Sequence, residues 1–529
     1  MAFNLVQAGD SLYSVNAAGG ISSALTLPTG ITLSKTRHPR FARFGRYVIV
    51  VNTPSRPISV DDKGTVRPLT PLAPTSTPVL AGETGGVLTG RYLAKQTFVF
   101  LDAVGNVIAE SEFGPLPANS QLVTSQYLRM TNLSLSPDTS AISGTRLYRT
   151  TSGPGSAYFQ WATVPGNTQT RFRDDLSDAA LGLIAAPTLG SVPDLTLVAT
   201  WQGRVWGVDR FNVDNVRYTE AGTSYAWSAL NTLIIPHVGD DRFGITALVP
   251  RREVLGAGRQ NRLVQLAGST RANIRQVGVI ENCGILSQES VVVYRDVVFF
   301  LWRDGVYQWD NDGLVCISDR AGVGAWFKSS NFFNPGVFSQ AFAVFDPLHL
   351  RYRLFLCTPD STVPNRWVEY SLKTGKFYGP HLTTAFAPTC AFRIRWNNDH
   401  IYPIIGSREG YLSWDIFDRT DWDMFSIPMR VTMAGHDGGD PDNEKYFGHL
   451  SVQTGKEAKG TLKITPYVGE SDAEVAGEPM SYDLTQTRER LDRIGTGKSA
   501  NLVFENNEVG QHVTILGYQI DPVYVTGKR

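Results

Sequence analysis

The sequence is poor in cysteine, in helical periodicity and in net charge, and it has no long apolar run. No stretch of 18 apolar residues occurs, so no membrane-crossing helix is expected. The opening MAFNLVQAGDSLYSV lacks a basic segment followed by an apolar one, so no secretory leader is expected. Cysteine occurs four times, at Cys283, Cys316, Cys357 and Cys390, and never as a CxxC pair. That spacing implies neither a disulfide framework nor a thiolate metal knot. The expectation is four reduced, buried side chains in a chain made in a reducing cytosol. Lysine plus arginine (49) equals aspartate plus glutamate (49). A net charge of zero counts against a free nucleic-acid binder and favours association over mutual repulsion.

Helix-period spacing of apolar residues is confined to two short places, around 178–183 and 485–493. Almost everything else alternates with period two or runs in short β-branched and aromatic blocks, as strands do. Glycine (50) and proline (29) are spread along the chain, which implies many short elements joined by tight turns. One unit recurs: an apolar strand, a glycine turn, and a second strand with an aromatic near its start. Copies begin near residues 12, 47, 197, 255, 297, 352 and 401. The last five are spaced by roughly 40–60 residues, the length of a four-stranded propeller blade. The wider gap between 47 and 197 returns to that spacing once a segment of about 100 residues, the size of a small sandwich, is set aside. Residues 81–186 supply it, with strands expected at 92–101, 107–111, 121–130, 144–150, 157–164 and 168–172. The expected fold is therefore all-β. A β-propeller of six or seven blades occupies 1–80 and 187–428, an inserted β-sandwich fills 81–186, and a C-terminal β domain or closing blade spans 429–529. In a propeller the first strands would close the ring against a late blade; a row of separate sandwiches is the rival arrangement.

Motif fragments do not add up to a reaction centre. Gly495-Thr496-Gly497-Lys498-Ser499 looks like the end of a phosphate loop, but Asp492 stands where the motif needs glycine, and a strand is expected after it. Gly256-Ala257-Gly258 lacks the third glycine of a dinucleotide site, since position 261 is Asn261. The eight histidines are scattered. The acidic run 436–444 (His436-Asp437-Gly438-Gly439-Asp440-Pro441-Asp442-Asn443-Glu444) offers oxygen ligands without the spacing of a calcium loop, and reads as a solvated connection between β domains. Asp304, Asp310 and Asp421 sit beside turns or aromatics, where turn chemistry accounts for them. No catalytic residue, metal ligand or cofactor is expected. Two basic groups stand out: Lys35, Arg37, His38, Arg40, Arg43 and Arg46, then Arg251, Arg252, Arg259 and Arg262. They read either as loop or subunit salt bridges or as the lining of a path for DNA. Phe41 and Phe44 interleave too sparsely for base stacking.

A further set of strings carries a resemblance. Trp201-Gln202-Gly203-Arg204-Val205-Trp206-Gly207-Val208 is followed by Val216-Arg217-Tyr218-Thr219-Glu220 and Trp227. Then come Ile234-Ile235-Pro236-His237-Val238-Gly239-Asp240-Asp241 and Ile245-Thr246-Ala247-Leu248. These resemble the propellers of phage tail and virion proteins. Thr97 to Val99, Gly144-Thr145-Arg146-Leu147-Tyr148-Arg149-Thr150, and Arg173-Asp174-Asp175 with Ser177-Asp178 are similar to fibronectin-like inserts in such proteins. The family matched best is the tail nozzle of short-tailed phages, also called packaged-DNA stabilisation protein or tail tubular protein B. The pattern covers most of residues 1–430, and no string in the last hundred residues carries it. The resemblance implies a virion protein without catalytic residues or cofactor. It would form a homohexameric tube below the portal and adaptor rings, hold packaged DNA non-specifically until it exits, and dock fibres or tailspikes. A carbohydrate-binding or glycan-cleaving propeller is the alternative, and would need exposed aromatics beside carboxylates at one mouth of the ring.

Overall fold

The computed structural model describes all residues except 1–3, 17–19, 103, 118, 139–143, 154–156, 183, 239–242, 384–386, 396–399, 415–420, 423–424, 427–428, 434, 471–472, 510, 512 and 527–529. The chain is all-β. Helix among the described residues is limited to the four-residue Ile317–Arg320 and Ala325–Lys328 and the 3-10 segments Gln288–Ser290 and Pro335–Gln340. Two compact units are present: Met1–Ile317 with Ile394–Asp399, and Ser318–Arg393 with His400–Arg529.

Four antiparallel meanders, each with its strands hydrogen-bonded in chain order, form the frame of the first unit. The first comprises Arg40–Phe44, Tyr47–Val51, Ile58–Val60 and Val66–Pro68. The second comprises Leu195–Trp201, Arg204–Asp209, Asn215–Thr219 and Trp227–Ile234. The third comprises Ala247–Pro250, Leu255–Gly258, Arg262–Ala267 and Arg275–Glu281, and the fourth Val292–Tyr294, Val297–Trp302, Gly305–Trp309 and Leu314–Cys316. Their inner strands, such as Arg204–Asp209 and Val297–Trp302, are buried on both sides because successive meanders pack face to face. Ile49 and Val51 of the first share a core with Leu195, Val198, Val205 and Trp227 of the second. The opposite face of the second turns Leu197, Ala199 and Trp206 onto Leu248, Leu255 and Val264 of the third. Ala247, Val249 and Leu263 then meet Val298, Phe300 and Trp309 of the fourth. Each such side chain, moved out of water, contributes about 1.5–3 kcal/mol, so these repeated layers are the main support of the unit.

The remaining face of the first meander is covered from the N-terminus. Asn4–Ala8 and Ser11–Val15 pair with each other, and Leu12, Ile31 and Leu33 pack on Val50, Ile58, Val60 and Val66. Among the described residues, no pairing joins these first strands to a late sheet. Between the first and second meanders lie two more sheets. One is ordered Arg171–Asp174, Gln121–Thr131, Val79–Tyr92, and the other Tyr158–Pro165, Gly144–Thr150, Ala94–Leu101, Val107–Glu110. They share a core in which Leu80, Tyr92, Leu128 and Met130 of the first meet Ala94, Leu147, Trp161 and Val164 of the second.

The second unit begins with a fifth meander, Phe342–Asp346, Arg351–Leu356, Arg366–Ser371 and Lys376–Leu382. A three-stranded sixth follows, Pro388–Arg395, Ile401–Ser407 and Leu412–Trp414. Phe342, Val344 and Phe355 pack against Ile405. Beyond them, Met429–Thr432, Ser499–Asn506, Thr461–Glu470, Ala473–Ala476 and Met480–Asp483 make one sheet, and Arg488–Gly497, Lys445–Thr454 and Ile515–Val525 another. Phe447, Leu450 and Val452 face Ile464, Tyr482, Leu502 and Phe504 across their common core. The helical turn expected near 485–493 is a strand instead. Its pairing slips by one residue between His449 and Ser451, so Leu491 and Ile494 both point inward across a β-bulge and imitate helical spacing. Residues 178–181 form a turn, and Leu183 lies outside the described residues.

Candidate functional site

The first basic group is divided by a strand. Lys35 and Arg37 precede Arg40–Phe44, Arg43 lies near its end, and Arg46 lies in the turn that follows it. At about 3.4 Å per residue, the five-residue strand sets the two ends roughly 17 Å apart. Lys35, Arg37, Arg43 and Arg46 are exposed. Arg37 donates to the Thr53 carbonyl (3.3 Å), Arg43 Nε to the Gly45 carbonyl (3.1 Å), and Arg46 Nε to the Tyr47 hydroxyl (3.0 Å). Arg40, the first residue of the strand, differs. Its guanidinium meets the Glu289 carboxylate, and burial pulls its pKa down to about 10. Glu289 lies in the 3-10 turn before the fourth meander. Its neighbour Gln288 accepts from the Leu248 amide (2.7 Å).

The second basic group is mostly internal. Arg251 lies over the Trp309 ring at 4.6 Å and donates to Asp296 Oδ2 (3.1 Å), Asn311 Oδ1 (2.6 Å) and the carbonyls of Asp296 and Asp310. Arg259, fully buried, donates to Asp214 Oδ1 (2.6 Å) and to the carbonyls of Ile235 (3.0 Å) and Phe243 (2.6 Å). Arg262, also buried, donates to the Pro236 carbonyl (2.5 Å). Arg252 alone reaches solvent, beside Glu253. A guanidinium fork is suited to tying several loop carbonyls at once, so three of these four arginines brace loops and do not present charge to a ligand.

A cleft of ≈ 520 Å³ opens where the third and fourth meanders meet, lined by Arg251, Glu253, Gln265, Asp296, Trp309 and Asp310 among others. Two of its carboxylates have internal duties, and the third, Glu253, is exposed beside Arg252. Asp296 also accepts from the Arg252 amide (2.7 Å), and Asp310 accepts from the Asp312 amide (2.9 Å) and Gln308 Nε2 (2.8 Å). Trp309 is buried, with no face for a sugar to stack on. Asp304 accepts from the Tyr307 hydroxyl (2.9 Å), and the side chain of Asp421 lies outside the described residues.

The strings that carry the family resemblance are packing and turn residues. Gln202 and Gly203 both take left-handed φ (50° and 66°), which closes a two-residue hairpin with the twist of its strands. Trp201 donates its indole N–H to the Arg251 carbonyl (2.7 Å), and Trp206 donates to the Trp201 carbonyl (3.0 Å) and stacks on Tyr218 at 4.7 Å. Gly239-Asp240-Asp241 lies outside the described residues. In the inserted segment, Arg149 is fully buried and bonded to Asp174 (2.5 Å) and Asp178 (2.7 Å). Burial raises the Asp174 pKa against the pull of Arg149. Burial, reinforced by Asp178 at 3.0 Å, pushes Tyr92 up to about 12. Buried Glu110 accepts from the Thr97 hydroxyl (2.6 Å), the Tyr148 hydroxyl (2.6 Å) and Arg146 (3.3 Å). Neither Glu110 nor Lys95, held over the rings of Phe113 (3.6 Å) and Tyr158 (4.1 Å), was marked by any motif. Such sites arise by convergence of strands distant in sequence.

Among the described residues, no group of three His, Cys, Asp or Glu is placed to hold a metal. In the acidic run, the buried Lys445 ammonium donates to the carbonyls of Asp440 and Asn443. The inward-facing oxygens there already have a resident cation. Lys498, the lysine of the phosphate-loop fragment, pairs with Glu470 (3.0 Å) between two strands. His512 lies outside the described residues.

No family model and no curated protein matches the sequence. Among solved structures, a fungal alcohol oxidase of the AA5 family, described in complex with copper, aligns over 96% of this chain and 91% of its own at 11% identity and a TM-score of 0.27. PorZ, a bacterial surface component of the type-IX secretion system of Porphyromonas gingivalis, aligns over 78% of this chain and 59% of its own at 10% identity and a TM-score of 0.28. At those scores neither likeness says anything about what this chain does.

Proposed function

We propose that this chain is a non-enzymatic structural protein of a phage virion, a tail nozzle that retains packaged DNA and releases it at infection. In this reading the six meanders are blades of one β-propeller. The hairpin of residues 4–15 takes a seventh place against the free face of the first blade, and the segment between the first two blades is a fibronectin-like sandwich. The observation that carries the reading is the serial face-to-face packing of meanders in chain order, first on second, second on third, third on fourth, and fifth on sixth. Blades in a ring pack this way, and closure removes exposed sheet edges. The resemblance of the Trp201 to Thr219 strings and of the inserted segment to phage tail propellers supplies the rest.

The path for DNA in such an assembly would lie between subunits. The Arg40–Glu289 pair ties the first meander to the turn before the fourth; in the proposed ring these two would stand across from each other, and the pair would bridge the subunit's own axis. Six copies around one axis, joined by heterologous contacts, would enclose the wider channel. Of the two basic groups, the exposed Lys35, Arg37, Arg43, Arg46 and Arg252 are the residues available for weak, non-specific phosphate contact. Buried Arg251, Arg259 and Arg262 are not. Particle mass and electron-microscopic images of the purified chain, alone and with portal and adaptor proteins, test the proposal. A ring of six that stacks on the adaptor is expected. A chain that stays monomeric with those neighbours present would overturn it. The glycan reading gains nothing from the cleft, whose tryptophan is covered.

A further inference from the structure

Five large apolar side chains stand exposed at one end of the second meander. Phe211 is 80% exposed, Val213 43%, Ile234 70%, Val238 59% and Phe243 55%. They come from the turn before Asn215–Thr219, from the end of Trp227–Ile234 and from the connection that follows that strand, which the backbone brings together. Ile234 pairs with Asn215, the Ile235 amide donates to the Asp214 carbonyl (2.9 Å), and the Ile245 amide donates to the Val213 carbonyl (3.0 Å). Beneath them run the two buried arginines. Arg259 holds Asp214 and the carbonyls of Ile235 and Phe243, and Arg262 holds the carbonyl of Pro236. Two buried guanidinium groups thus hold an apolar surface in place, although ordering loops around buried charge is costly.

At roughly 150–250 Å² for an aromatic side chain and less for Val or Ile, these exposures amount to on the order of 500 Å² of apolar surface. That lies in the upper part of the about 300–600 Å² found for the largest patch on a monomer. It also matches the apolar share, roughly three-fifths, of the ~800 Å² that each partner buries in an interface of standard size. The edge is polar, with His237 and Asp214 3.3 Å apart, as an interface rim is. With 49 basic and 49 acidic residues, a second copy brings no net repulsion. We infer that this patch is a contact between copies of this chain, with Phe211 and Ile234 near its centre. It stands apart from the tail reading, since any self-associating protein would satisfy it.

Sedimentation of the full chain across a concentration series tests it, comparing the wild type with the double variant Phe211→Ser and Ile234→Ser, and with Val104→Ser as a control. Val104, 81% exposed, lies in the inserted segment. Both substituted patch residues are exposed, so thermal melting should match the wild type. The wild type should self-associate, the double variant should do so at least about tenfold more weakly, and the control should match the wild type. If the wild type associates and the double variant equals it, the patch is overturned while a ring built on another surface stands. A wild type that is monomeric up to about 100 µM would overturn the self-contact itself.

Discussion

His381 lies on the last strand of the fifth meander, opposite Trp367, and its ring stacks on the indole with centroids 4.1 Å apart. The guanidinium of Arg353 lies over the same indole at 5.1 Å. Burial drives the imidazole pKa down to about 4. Glu369 pulls it the other way, and Arg353 and Arg351 add to the fall. Nε2 is buried without a partner, which suits a neutral ring only. Because the folded value lies below the ordinary 6.5, the unfolded chain takes up a proton first as pH falls. The stability associated with the neutral ring is therefore complete above about pH 6.5 and is lost progressively toward pH 4. Urea midpoints of the transition that unfolds the fifth meander should drop between pH 7 and pH 5, and His381→Phe should flatten that slope. An equal slope in the variant would remove His381 as the cause. None of this was legible in the sequence, where His381 was one of eight scattered histidines. The basic groups were legible as residues but not as roles. Arg251, Arg259 and Arg262 read the same as Arg252 in a string, and only the fold shows which guanidinium groups face inward.

At the scale of elements, the glycines of Gly256-Ala257-Gly258 have a packing purpose. A Cβ on Gly256 would sit 2.9 Å from the Trp309 ring and 3.2 Å from Leu263, and one on Gly258 would sit 2.9 Å from Ile285. The strand Leu255–Gly258 can lie this close to Trp309 and Ile285 only because Gly256 and Gly258 place no side chain on that face. Gly256→Ala and Gly258→Ala should each cost about 1–3 kcal/mol by overpacking, read as a lower denaturant midpoint in tryptophan fluorescence. An unchanged midpoint would show that Trp309 and Ile285 yield freely and that the close fit is incidental. Strand positions were legible wherever apolar residues alternate or run together. The failures have a shared physical cause. Val79–Tyr92 carries Gly82, Gly85, Gly86 and Gly90 and a register slip opposite Thr124 and Gln126, so its alternation is broken and only its last residue was expected to be strand. The same kind of slip made Arg488–Gly497 look helical. The repeat was seen one strand out of phase. The tight glycine hairpin joins strands one and two of the second meander (Gly203), strands two and three of the fourth (Gly305) and sixth (Gly410), and strands three and four of the fifth (Gly375), and glycine turns mark hairpins without saying which.

For the whole molecule, spacing of repeats was informative because a four-stranded meander needs a nearly constant length of chain, and the inserted segment stood out as the one interval that broke it. What periodicity does not contain is whether the repeats close on themselves. If the six meanders form one ring, the boundary between Ile317 and Ser318 that separates the two compact units falls inside that ring. Each side of it would then depend on the other for one covered sheet face. Blades of a closed ring unfold together, whereas a row of independent pieces unfolds in steps. A protease site placed in the exposed Ala321-Gly322 turn of the full chain should therefore be cut without separating the products under native conditions. Before and after cutting, both halves should melt in one transition, with the C-terminal sheets allowed their own. Two fragments that part on a sizing column and melt independently would mean that residues 187–428 are not one closed body, and the nozzle assignment would lose its architectural support along with the ring.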